Sequence, residues 1–270
     1  MMKTVRISSV QNPMIKRALL LKEKSRERKK SGLFVLEGIR ELQLALRGGI
    51  VLETFFYCPE IIRQEILDSL GLHQFSALKK IEVSREVYQK LAHRETTEGI
   101  FAIGKSKTHT LDQLIFKRKR PLILIAQAPE KPGNIGALLR TADAADLDAV
   151  IIADPKTDLY NPNIIRSSVG CVFTTPIALG SSAQIIRFLQ ENQIAIYGAA
   201  LSASKHYVEV DFKCACAIVL GTEATGLSPE WLEKSDQNII IPMLGEIDSM
   251  NVSVSAAILI FEAKRQRDFS

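Results

Sequence analysis

The chain has 270 residues, 46% hydrophobic and 24% charged, the composition of a globular protein with room for one large domain or two. No apolar run approaches the roughly 20 residues that span a bilayer, and the opening MMKTVRISSVQNPM lacks the apolar core of a signal peptide, so a cytoplasmic protein without a membrane anchor is expected. The net charge of +5 is unevenly spread: residues 1–120 hold 24 Lys/Arg against 13 Asp/Glu (+11), and residues 121–270 hold 11 against 17 (−6). A basic first part on a mildly acidic second part suggests that one grips a polyanion and the other does something else. Four cysteines without a CxxC pair and four scattered histidines predict reduced thiols and no metal site.

Residues 12–30 are predicted to form a helix opened by Asn12-Pro13. It runs out in six basic residues: Lys22, Lys24, Arg26, Arg28, Lys29 and Lys30. A solvated face is the usual fate of such a run. Only Glu23 and Glu27 offset this one, so Arg26, Arg28, Lys29 and Lys30 are equally candidates for phosphate contact. FVLEG, LETFFY and GIFAI are expected strands, with helices over 39–47, 61–70 and 86–92. KSKTHT is an expected linker, and KRKR at 117–120 is a second basic cluster with the same two readings, Lys117 and Arg118 among its candidates. From Pro121 the rhythm is cleaner. LILIA, AVIIA, FTTPIA, IAIYGA, AIVLG and NIII are apolar strands, separated by helices over 135–145, 163–169, 183–192 and 229–235. That alternation predicts a parallel sheet covered on both faces.

Three strand-following loops in the second part combine glycine with polar residues. APEKPGNIGALLRTADAAD has Gly133 and Gly136 for a tight turn, Asn134 where a helix cap is wanted, and Arg140 farther along, placed to meet phosphate. In GTEATGLSPEWL, Gly221 ends a buried strand where backbone could approach a ligand, and Glu223 sits in the turn. In PMLGEIDSMN, Ser249 and Asn251 precede a helix whose Val254, Ile258 and Phe261 share one face. Such a face is more often core than interface. None of the loops fits GxGxxG or GxxxxGK[ST], which argues against a dinucleotide site or a P-loop. No Ser/His/Asp set points to hydrolysis.

PGNIGALLRTADAA, IVLGTEATGLS and IPMLGEIDSMNVSVSAAIL, in this order, resemble the three signature motifs of the SpoU (TrmH-type) family of RNA 2′-O-ribose methyltransferases, in the SPOUT superfamily. The resemblance implies an L30e-like RNA-binding domain over 1–107, a basic linker over 108–120, and an α/β SPOUT methyltransferase domain over 121–270. It also implies a trefoil knot in roughly the last 60 residues, an exception to the rule against threaded chains, and a homodimer. S-adenosylmethionine is the implied cofactor, held at Gly221, Ile241 and Met250, with Leu201 a further addition. The implied catalytic set is Asn134, Arg140, Glu223, Ser249 and Asn251. Ribosomal RNA fits an N-terminal domain that looks like a ribosomal protein's; transfer RNA is the runner-up. Two positions depart from the family pattern: Met250 stands for leucine, and Asp146 for the glycine that often follows the first motif's helix. A non-catalytic RNA-binding assembly factor on the same fold, a base-methylating relative and a small-molecule enzyme are the competing readings. Arg140, Glu223 and Asn251 disfavour the first. The resemblance of the Asn…Arg and Ser-x-Asn motifs favours ribose over base. The basic half disfavours the last.

Overall fold

The structure is a computed structural model and describes residues 5–92, 98–203, 205–222 and 224–269. In chain order its first elements are β1 (Val5–Ile7), α1 (Pro13–Glu23), α2 (Ser25–Ser31), β2 (Leu33–Glu37), α3 (Ile39–Arg47), β3 (Leu52–Tyr57), α4 (Gln64–Ser69), β4 (Lys79–Val83), α5 (Arg85–Leu91) and β5 (Ile100–Lys105). Then follow β6 (Leu122–Gln127), α6 (Pro132–Ala144), β7 (Ala149–Ala153), α7 (Pro162–Ser167), β8 (Ile177–Gly180), α8 (Ser182–Glu191), β9 (Ala195–Ala199) and β10 (Lys205–His206). The chain closes with β11 (Cys216–Leu220), α9 (Pro229–Lys234), β12 (Gln237–Ile240) and α10 (Val252–Gln266). No described helix is long and apolar enough to cross a membrane. The chain divides into two units: Met1–Lys107 with Asp158–Thr174, and Thr108–Thr157 with Thr175–Ser270.

The first unit is built on a five-stranded mixed sheet in the order β1-β4-β3-β5-β2. β1, β4 and β3 run parallel, while β5 is antiparallel to both β3 and β2. The expected single helix over 12–30 is two helices, broken at Lys24, whose φ and ψ of −111° and 109° are extended. The break lets Arg28 turn inward. It is only 4% exposed, and its guanidinium donates to Asp158 Oδ2 at 2.6 and 2.9 Å and to the carbonyls of Leu21 (2.7 Å) and Lys22 (3.2 Å). Arg28 therefore closes the carboxyl end of α1 and is not an RNA contact, which corrects its place in the basic run. Lys22 is also drawn in, donating to the carbonyls of Leu91 (2.9 Å) and Ala92 (2.8 Å). Arg26, Lys29 and Lys30 remain exposed.

The segment Asp158–Thr174, sequence-wise inside the expected second domain, belongs to this first unit. Its α7 packs on β2. Phe34 of β2 stacks on Tyr160 at 4.4 Å between ring centroids and on Phe173 at 5.6 Å. Phe34 is fully buried, so the aromatic cluster closes one face of the sheet.

The second unit carries a seven-stranded sheet in the order β10-β12-β9-β11-β6-β7-β8, parallel at every pair. Its central strands read as unbroken apolar runs because both faces are covered, and every residue of β6, β7 and β11 is buried. Trp231 of α9 is fully buried and donates its indole N–H to Ser182 Oγ at 2.7 Å, which in turn donates to the Asp154 carboxylate. α10 lies against α6. Its buried residues are Ala256, Leu259, Ile260, Ala263 and Lys264, while Val254 is 48% and Phe261 43% exposed. Ile258, on the same face, is partly buried, so the expected apolar face is divided between core and solvent.

Asp146 explains its own oddity. It follows α6 with φ of +46°, the left-handed conformation that favours glycine. Leu147 N donates to Ala142 O at 3.0 Å, closing the helix end. A short polar side chain tolerates this backbone, and here it has a use: Arg118 donates to the Asp146 carboxylate and, at 3.0 Å, to its carbonyl. Arg118 also meets Asp148 at 3.3 Å. Lys117 is exposed, whereas Arg118 is partly held within its own unit, which narrows its expected availability to RNA.

A cysteine pair stands at the entry to β11. Cys214 is exposed and Cys216 is fully buried. A hydrogen bond from the Cys216 thiol, joined by Tyr197 at 3.5 Å, holds the Cys214 thiol down at about 6, while that same bond and burial push Cys216 up. Thiolate is the nucleophile, so as pH rises through about 6 Cys214 becomes reactive. Iodoacetamide at neutral pH is expected to label Cys214 before the other three cysteines. Mass spectrometry across pH 5–8 checks it, and a labelling midpoint near the ordinary thiol value of about 8.5 would contradict the geometry.

Candidate functional site

The carboxyl ends of β9, β11 and β12 open onto one cavity of about 590 Å³, wholly within the second unit. Parallel strands place their ligand sites at this edge, and the volume is that of a small-molecule site. Leu201, Gly221, Ile241 and Met250 all line it, each carried by a different stretch of chain. The wall is mainly apolar. Among the described residues lining it, Asp248 is the ionisable one.

The loop after β11 is closed on itself. Thr222 and Gly226 exchange two backbone hydrogen bonds of 3.0 Å, and Thr225 N donates to Thr222 Oγ1 at 3.0 Å. A Cβ on Gly221 would fall 2.0 Å from Gly226 C and 2.3 Å from Leu227 N. Glycine is required there because the loop folds back over it, which is a different reason from the expected close approach of a ligand. A Gly221→Ala chain is expected to lose about tenfold or more in affinity for the cavity's ligand, since displacing the loop by 1.4 kcal/mol is already tenfold. Calorimetric titration checks it.

The loop's far end is fixed by a residue the sequence did not single out. Gln127 ends β6, is 8% exposed, and its Oε1 accepts from Ser228 N at 2.9 Å. The available signal was one amide closing the otherwise apolar LILIAQ strand.

The structure brings Asn134 and Asn251 together: Asn251 Nδ2 donates to Asn134 Oδ1 at 3.2 Å, joining the first and third motifs. Asn134 does not hold the cap position expected of it. Lys131 is the N-cap of α6, with Pro132 in its first turn, so Asn134 lies inside the helix and leaves its side chain for Asn251. Asn251 is the helix cap, and its Oδ1 accepts from Ser253 N at 2.9 Å and Ser253 Oγ at 2.6 Å. Ser249 lines the cavity and donates to Asp248 Oδ1 at 3.2 Å.

Arg140 is exposed on α6, and its guanidinium makes no hydrogen bond to a described residue. Six residues beyond Asn134, it lies about 9 Å farther along the helix and about 120° around it. It is absent from the cavity wall. The structure thus joins Asn134 to Asn251, sets Ser249 on the cavity wall and leaves Arg140 facing solvent. Glu223 lies outside the described residues.

S-adenosylmethionine fits this hollow on its chemistry. The ligand is amphipathic and carries a sulfonium and an ammonium group; the cavity offers aliphatic walls, backbone groups at three strand ends and one carboxylate at Asp248.

Comparison with known proteins agrees with this architecture. Residues 121–261 match the model of the SpoU rRNA Methylase family, and residues 12–102 match that of the MRM3-like substrate binding domain. The 23S rRNA (guanosine(2553)-2′-O)-methyltransferase of Bacillus subtilis is 29% identical over 96% of this chain and 98% of its own length. A solved structure described as an RNA 2′-O ribose methyltransferase is 36% identical, with a TM-score of 0.83 over 97% of this chain and 99% of that one. The SpoU methyltransferase AviRb from Streptomyces viridochromogenes, solved with AdoMet, is 25% identical, with a TM-score of 0.87 over 96% and 99%. With one family model matching more than half its length and a relative of 36% identity spanning nearly all of it, the chain belongs to the SpoU rRNA methylase family.

Proposed function

We propose that this chain methylates a ribose 2′-hydroxyl of 23S ribosomal RNA, with S-adenosylmethionine as donor. The observation that carries the reading is the cavity at the carboxyl ends of β9, β11 and β12, whose walls come largely from the second and third motifs, the third being tied to the first by the Asn134–Asn251 bond. The choice of RNA is supported by relatives named for 23S rRNA that span nearly the whole of this chain. When bound, S-adenosylmethionine supplies a methyl group already activated by its sulfonium.

The chain's own residues then have three tasks. Gly221, Ile241, Met250 and Leu201 hold the donor by backbone and apolar contact. Asn134, Asn251 and Ser249 orient the ribose so that its oxygen lies in line with the methyl carbon. Arg140 contacts an RNA phosphate and stabilises the alkoxide as the hydroxyl proton passes to solvent water. Arginine stays protonated in proteins, so its charge is available throughout.

The same reading includes an L30e-like first unit, a cytoplasmic location, a trefoil knot at the carboxyl end and a homodimer. β12 enters the sheet between β9 and β10, both earlier in the chain, which supports the knot. The exposed Val254 and Phe261 on α10 support an interface there.

Total RNA from cells lacking the gene is the test substrate. Labelled methyl groups are expected on a 2′-O-methyl nucleoside from the 23S fraction. Label in the transfer RNA fraction, or on a base, would replace the substrate; no label and no S-adenosylmethionine binding would sink the reading.

A further inference from the structure

A second hollow lies at the opposite edge of the same sheet. There residues 117–121 lead into β6, residues 213–215 lead into β11, and α10 ends beside both. Arg267 binds these segments together. Its guanidinium donates to the carbonyls of Phe212 (2.7 Å), Arg120 (2.7 Å) and Cys214. Over this floor opens a hollow of about 480 Å³ lined by Arg118, Lys119, Arg120, Lys213 and Arg267. Asp268 is the carboxylate on its described wall. Lys264, buried on the same helix, is held below the usual lysine range by burial and by the guanidiniums of Arg118 and Arg267. Asp146 and Asp148 answer Arg118 from one side. Lys119, Arg120 and Lys213 stand exposed at the rim.

We propose that this hollow at the amino-terminal edge of the sheet holds phosphates of the RNA backbone, as an anchor remote from the donor cavity. The proposal rests on the reading of RNA as substrate. Strands of five residues separate the two edges by about 17 Å. That span corresponds to about five nucleotides of a helical strand at roughly 3.4 Å each. A polynucleotide reaches both edges, whereas one nucleotide does not. The character of the rim points the same way. Its cations come from two separate segments, on long side chains around an open concavity, which suits a string of charges better than one phosphate centre.

The test uses the full chain and the variant Lys119→Ala/Arg120→Ala/Lys213→Ala, whose changes are all exposed and leave Arg267 in place. Affinity for 23S RNA fragments is measured between about 50 and 200 mM salt, together with steady-state kinetics and S-adenosylmethionine titration. The variant is expected to bind RNA roughly tenfold more weakly at low salt, with a log–log salt slope shallower by about 2–3. Its KM for RNA rises, while kcat at saturating RNA and donor affinity stay at the parent values. Equal affinity and slope in variant and parent would overturn the inference. So would saturable binding of inorganic phosphate, at constant ionic strength, that the variant loses while keeping its RNA affinity. A dimeric parent and monomeric variant would instead make this surface an interface with a second copy. If the parent neither binds nor methylates RNA, the functional reading fails first, and that outcome is distinct because it needs no variant.

Discussion

An Arg140→Ala chain is expected to bind S-adenosylmethionine as the parent does and to transfer methyl groups about 10²–10³-fold more slowly in kcat, the usual cost of removing one preorganised charge from a transition state. Both halves follow from its position. Arg140 is exposed on α6 and absent from the cavity wall, so donor binding does not depend on it. It sits about one and two-thirds helical turns from Asn134, and its guanidinium is not consumed by a described partner. Arg140→Lys keeps the charge and loses the planar fork, so it is expected to recover only part of the rate. Parallel measurements of donor affinity and single-turnover rate check this. A variant that loses donor binding would show that Arg140 builds the cavity and would remove it from the chemistry.

Asp158→Ala is expected to destabilise the chain by about 3–5 kcal/mol, because it strands a buried guanidinium without its carboxylate. Arg28 is 4% exposed, and Asp158 holds it through two contacts while its second oxygen accepts from Tyr160 N at 3.0 Å. The double change Arg28→Met/Asp158→Leu removes both charges and is expected to recover most of that loss. Urea unfolding followed by circular dichroism measures all three chains. A single variant as stable as the parent would mean that water reaches Arg28 and that the pair is a surface one.

What the sequence showed, and what it hid, divides along the range of the forces involved. The strands of the second unit were legible because β6, β7 and β11 are apolar on both faces, and an unbroken run such as LILIA has few other uses. The glycine-bearing loops pointed to the strand ends, while Leu201, Gly221, Ile241 and Met250, which line the cavity there, were named through the resemblance of the motifs to the SpoU family. β4 was not legible, since three of the five residues of KKIEV are charged and it is a strand only through pairing with β1 and β3. Arg28 was misplaced for a related reason. A charge run looks uniform until a partner 130 residues away selects one member for burial. The face of α10 was only partly legible, because Leu259 and Ile260 are buried beside its alanines while Val254 and Phe261 stay exposed. Gln127 was invisible because its importance is a single hydrogen bond to a loop about a hundred residues on.

The return of Asp158–Thr174 to the first unit has a consequence for how this protein can be divided. The genetic module and the physical module differ. The substrate-binding family model ends at residue 102, but the folded body needs a piece of chain from well beyond it. A fragment ending at Lys107 would lack the carboxylate for Arg28 and two of the three rings over β2. Exchanging the first 107 residues for those of a relative would swap half of each such pairing and leave the other half behind. Changes of RNA target in this lineage should therefore arise from substitutions coordinated across both segments, and grafts that carry 158–174 along with the amino-terminal region should fold where simple fusions at 107 do not.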